Sequence, residues 1–92
     1  MKKRKTNKQA HEKYNTNMQY YKNVPLQLIV YTEQHFERLK AKRYTINNTN
    51  QNVWIPNYYL EPDGTIKPNV NIDFVFYKSK RQLELAGIAF QP

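Results

Sequence analysis

The sequence predicts a small α+β domain of short strands with one or two helices, preceded by a flexible basic N-terminal arm. Three observations carry that prediction. The chain has 92 residues, enough for one compact core. Its apolar side chains fall in short β-branched and aromatic runs punctuated by Pro, Asn and Gly. Its formal net charge of +8, from 15 Lys+Arg against 7 Asp+Glu, is gathered at one end.

That end is residues 1–22, the predicted arm. Lys2, Lys3, Arg4, Lys5, Lys8, Lys13 and Lys22 face Glu12 alone, and Ala10 and Met18 are the only aliphatic side chains beside Tyr14, Tyr20 and Tyr21. A segment so poor in apolar surface does not offset its ordering entropy. Asn23-Val24-Pro25 is the predicted boundary, with the domain over residues 23–92. Val24–Tyr31 places Leu26, Leu28 and Val30 on one strand face; a helix capped by Asn23 with Pro25 in its first turn competes. Thr32 reads as an N-cap for a helix over residues 33–43, with Phe36 and Leu39 on its apolar side and Lys40, Lys42 and Arg43 near its C-terminus.

Residues 44–56 read as two strand pieces around an Asn-rich turn, with the single tryptophan, Trp54, expected in the core. One helical turn is expected over residues 56–60, a tight turn at Pro62-Asp63-Gly64, and a loop or short strand over residues 65–68. From Val70 onward two patterns compete. Val70, Ile72, Phe74 and Phe76 alternate, while Ile72, Val75, Phe76, Ser79, Leu83 and Ala86 form a helical stripe that Gly87 ends. Aromatic and β-branched content favours a strand over residues 71–77, followed by a helix over 79–86. No repeat or heptad pattern is present.

Several functional classes lack their raw material. Without cysteine there is no disulfide, thiolate nucleophile or thiolate-ligated metal. His11 and His35 have no metal-ligand spacing, so no metal or cofactor is expected. Gly64 and Gly87 are the only glycines, too few for a phosphate-binding loop. No motif pairs carboxylates, and His35, between Glu33 and Glu37, has no marked nucleophile, so an enzyme is not expected. The polar start has no signal-peptide apolar region and residues 24–31 are too short to span a bilayer, which points to a cytoplasmic protein with no membrane partner.

What remains is binding, with nucleic acid, DNA or RNA, as the expected partner. Lys2, Lys3, Arg4, Lys5 and Lys8 would neutralise phosphates and release counterions; the plain alternative is a solubilising tail. Arg38, Lys42 and Arg43 on the predicted helix form a second candidate group, weighed against ordinary pairing with Glu33 and Glu37. Lys78, Lys80 and Arg81 form a third, weighed against a Lys80–Glu84 pair on an exposed face. Tyr20, Tyr21, Tyr58 and Tyr59 are candidates for base stacking or partner contact. Convergence of the second and third groups on one face would mark a binding site. Oligomeric state is not encoded in any recognisable pattern.

The stretch Asn52-Val53-Trp54-Ile55-Pro56-Asn57-Tyr58-Tyr59-Leu60, followed by Asp63-Gly64-Thr65-Ile66-Lys67, resembles small accessory proteins of phages and mobile elements from low-GC Gram-positive bacteria. That resemblance implies a bacterial host cell and action on nucleic acid or on a host machine that handles it. A phage protein that binds and inhibits a host protein, such as a defence nuclease or replication factor, is the alternative expectation.

Overall fold

The computed structural model describes residues 13–92. Four strands form one antiparallel sheet in sequence order: β1 (Gln19–Tyr21), β2 (Val24–Leu28), β3 (Ala41–Ile46) and β4 (Asn52–Pro56). Helix α1 (Glu33–Arg38) links β2 to β3, a 3-10 turn (Asn57–Tyr59) follows β4, and α2 (Asp73–Lys78) and α3 (Lys80–Leu85) close the chain. The class is α+β, as predicted. Period-two alternation sorts the sheet. Tyr21, Val24, Leu26, Leu28, Tyr44, Ile46, Val53 and Ile55 are buried on one face, where Phe36, Phe76 and Leu83 from the helices and Ile72, just before α2, complete the core. Tyr20, Gln27, Arg43, Thr45 and Trp54 belong to the opposite face, which no helix covers among the described residues.

Residues 14–22 correct the predicted arm. Gln19–Tyr21 pairs with β2, and Tyr14 and Tyr21 are core residues. Tyr14 meets Phe36 edge-on at 4.3 Å, and Tyr21 stacks on Phe76 at 5.1 Å. The Tyr21 hydroxyl accepts the Ile72 N–H at 3.0 Å and donates to Asp73 Oδ1 at 2.5 Å. The two tyrosine rings supply the burial that the missing aliphatics do not, the Tyr21 hydroxyl being bonded while that of Tyr14 is buried and bonds to no described group. The domain therefore begins before residue 23, and the part of the predicted arm in residues 1–12 lies outside the described residues.

The predicted helix over residues 33–43 stops at Arg38. Leu39 is extended (φ −76°, ψ 139°), and from Ala41 the alternation of Lys42, Tyr44 and Ile46 toward the core overrides helical spacing. Lys42 and Arg43 are thus neighbours on a strand and point to opposite faces. The second correction lies in residues 71–77, where the helical stripe wins over the strand. Asn71 Oδ1 accepts the Asp73 N–H and starts α2, leaving Val75 and Phe76 buried and Phe74 outward. The stripe Ile72, Val75, Phe76, Leu83 and Ala86 is buried throughout.

Three turns follow the sequence closely. Asn47 (φ 53°) and Asn48 (φ 57°) form a type I′ turn closed by the Thr49 N–H on Ile46 O at 3.0 Å. Gly87 (φ 80°) ends α3 in a Schellman motif, with Ile88 N–H on Leu83 O at 2.9 Å and Gly87 N–H on Glu84 O at 3.0 Å. Gly64 (φ 89°) turns the loop so that its carbonyl accepts both the Tyr44 hydroxyl and Gln19 Nε2. Burial pushes the Tyr44 hydroxyl far above its ordinary range.

Two terminal elements are joined by an ion pair with a pH signature. Lys22 Nζ lies 2.9 Å from Asp73 Oδ1. Its hydrogen bond, and then that of Tyr21, hold the Asp73 carboxyl below its ordinary value. A depressed carboxyl stabilises the fold fully above the unfolded-state pKa, about 3.9, and loses that contribution as pH falls through the folded value. Asp73→Asn is expected to flatten the acid side of a stability–pH profile while changing little of its slope near neutrality. An unchanged acid limb in denaturant titrations would remove Asp73 from acid unfolding.

Candidate nucleic-acid interface

The open sheet face carries a cation held between two rings. The Arg43 guanidinium carbon lies 5.3 Å from the Tyr31 ring centre and 5.7 Å from that of Trp54, its cross-strand partner on β4. Arg43 Nε is buried and bonds to no described group. Trp54 is 45 % exposed, which corrects its predicted core position. Alternation explains this: Val53 and Ile55 fill the core, so the residue between them must face outward.

Beyond Trp54 the surface dips into a cleft of about 490 Å³ between β4 and α2. Phe74 and Lys78 form its far wall, with Lys78 Nζ 6.0 Å from the Phe74 ring. The row of rings continues from Phe74 to Tyr59 at 5.7 Å and from Tyr59 to Tyr58 at 5.0 Å. Lys67 lies 5.9 Å from the Tyr58 ring. Three cations are therefore interspersed among the rings: Arg43 with Tyr31 and Trp54, Lys78 with Phe74, and Lys67 with Tyr58. Tyr58 is 80 % exposed and Tyr20, elsewhere on the open face, 67 %.

The predicted site residues divide. Lys2, Lys3, Arg4, Lys5 and Lys8 lie outside the described residues. Tyr21 is a core residue and is unavailable for stacking. Lys42 is 7 % exposed, with its Nζ bonded to Asn57 Oδ1 at 2.9 Å and 5.2 Å from the Phe36 ring. Burial lowers its pKa, opposed by Asp63, so Lys42 is a structural ammonium and does not reach a ligand. Arg38 is exposed on α1, apart from Lys42 and Arg43, so the expected helical cationic face does not form. Its supposed compensators, Glu33 and Glu37, both pair with Lys13. Lys78 borders the cleft, Lys80 lines a separate hollow with Tyr77, Glu84 and Phe90, and Arg81 is exposed on α3. The six cations do not share one surface; Arg43 and Lys78, on either side of Trp54, do.

The sequence reading missed the Tyr31–Arg43–Trp54 stack because it placed Arg43 on a helix. The signal was present in the alternation of residues 41–46 with residues 52–56. Among the described residues, no three His, Asp or Glu side chains form a metal-ligand group, and no helix is long and apolar enough to cross a membrane. Comparisons with protein-family models, with curated proteins and with solved structures give no match for this chain.

Proposed function

We propose that this protein binds nucleic acid without transforming it, presenting the open sheet face to bases and the basic N-terminal residues to phosphates. The observation that carries the reading is the Arg43 guanidinium held between Tyr31 and Trp54 beside a cleft walled by Phe74 and Lys78. Rings accept bases by stacking, and interspersed cations follow the backbone. The chain's +8 charge supplies long-range attraction for a polyanion. Small accessory proteins of phages and mobile elements, which the sequence resembles, fit the same role in a bacterial cytoplasm.

The test is salt dependence in the full chain. Binding to labelled DNA and RNA oligonucleotides should weaken steeply between about 50 and 200 mM salt. Replacing Lys2, Lys3, Arg4, Lys5 and Lys8 together by Gln should lower the log–log slope on single strands by about 3 to 4, since each phosphate contact contributes about 0.7. Absence of binding at the lowest salt would end the proposal. Stoichiometric, nuclease-resistant recovery of one host protein in that case would select the inhibitor alternative.

A further inference from the structure

We infer that the cleft between β4 and α2 holds one unpaired base of a single-stranded nucleic acid, stacked on Trp54, with Lys78 at the adjoining phosphate. This rests on the nucleic-acid reading above and specifies the strand state that the reading leaves open. The cleft's volume, about 490 Å³, falls in the range of small-ligand sites, about 300–1,000 Å³. Trp54 and Phe74 provide ring surface on two sides, while Asn52, Ser79 and Gln82 provide donors and acceptors between them. That combination of aromatic walls and short polar side chains suits a heterocycle with a hydrogen-bonding edge.

The backbone adds to it. Ile46 N–H bonds to Gln51 O at 2.8 Å and Asn57 N–H to Lys40 O at 2.9 Å, so the odd-numbered residues of β4 turn their peptide groups toward β3. By alternation, the peptide groups of Asn52 and Trp54 face the cleft side. The Trp54 indole stands between Arg43, which does not line the cleft, and the cleft itself. Charge favours an anionic occupant: among the described residues Lys78 is the only ionisable side chain in the lining, whereas the hollow near the C-terminus is lined by both Lys80 and Glu84. An added peptide strand fits less well, since α2 packs against β4 and Pro56 removes an edge N–H. A base within a duplex is already stacked and reaches the cleft only by extrusion, at a cost of a few kcal/mol.

Trp54 is the only tryptophan, so its emission reports the site directly. The full chain is titrated with a single-stranded oligonucleotide, its duplex form and an acidic peptide. The expected results are quenching by the single strand and at least tenfold weaker duplex binding. Trp54→Ala, read by anisotropy of a labelled oligonucleotide, should weaken single-strand binding by about 5- to 150-fold, the range of base–aromatic stacking. It should leave duplex binding unchanged, and Trp54→Phe should retain most of the affinity. Lys78→Gln, at an exposed position, should lower the single-strand salt slope by about 0.7. Equal loss on both strand forms, or single-strand binding untouched by Trp54→Ala and Lys78→Gln, overturns the cleft assignment while leaving nucleic-acid binding standing. Quenching by the acidic peptide alone, with no oligonucleotide bound, overturns both.

Discussion

Phe76→Ala is expected to lower the unfolding free energy by about 3–5 kcal/mol, the usual cost of deleting a fully buried phenyl ring. Phe76 is 1 % exposed and lies in a three-ring cluster, 5.1 Å from Tyr21 and 5.3 Å from Phe90, which are themselves 6.3 Å apart. These three rings join β1, α2 and the segment after α3, so the cavity would open where those three meet. A domain of this size has about 4–12 kcal/mol in total, and the variant should be largely unfolded at modest urea concentration. Urea titration against the unsubstituted chain measures it. A loss below about 1 kcal/mol would mean that the neighbouring rings collapse into the space.

Gly64→Ala is expected to cost about 2–5 kcal/mol from two separable sources. At φ 89° a side chain is strained by about 1–2 kcal/mol. A Cβ there would also sit 2.7 Å from Leu28 Cδ2, and crowding a packed core costs about 1–3 kcal/mol. Leu28 is itself core, so the methyl has little room to retreat. The crowding part should vanish in a Leu28→Ala background while the backbone part persists, giving a non-additive cycle. Strict additivity of the two substitutions would assign the whole cost to the backbone. The position matters because Tyr44 and Gln19 both anchor on the Gly64 carbonyl.

How far the sequence was readable depended on which residues carried burial. The Asn47-Asn48 turn, the Pro62-Asp63-Gly64 turn and the Gly87 stop were legible because left-handed backbone favours few residue types. Strand β2 was legible from its alternation. The N-terminal boundary was not, because β1 has three residues and leads into a hairpin turn with Lys22 at φ 53°, a position where lysine is no signal. There, Tyr14 and Tyr21 resemble solvent-compatible tyrosines until Phe36, Phe76 and Asp73 arrive, Asp73 from 52 residues beyond Tyr21. Lys42 misled for the opposite reason: a buried ammonium reads as a surface charge unless its partner, Asn57, is known. The candidate site was legible as ingredients, in Arg43, Lys78, Tyr58 and Tyr59, but not as an arrangement. Its central residue, Trp54, was assigned to the core on composition, when strand parity between Val53 and Ile55 required the opposite.

The strand order has a consequence for synthesis. Because β1 to β4 pair strictly with their sequence neighbours, the whole sheet is encoded by residues 19–56 and its contacts are local. Its cover from α2 and α3 is encoded after it. A nascent chain that has reached Pro68 has all four strands but nothing to shield Leu26, Ile46 and Ile55 on the side that α2 and α3 later pack. That interval, before α2 and α3 have emerged from the ribosome, is when an apolar sheet is most open to the wrong neighbour.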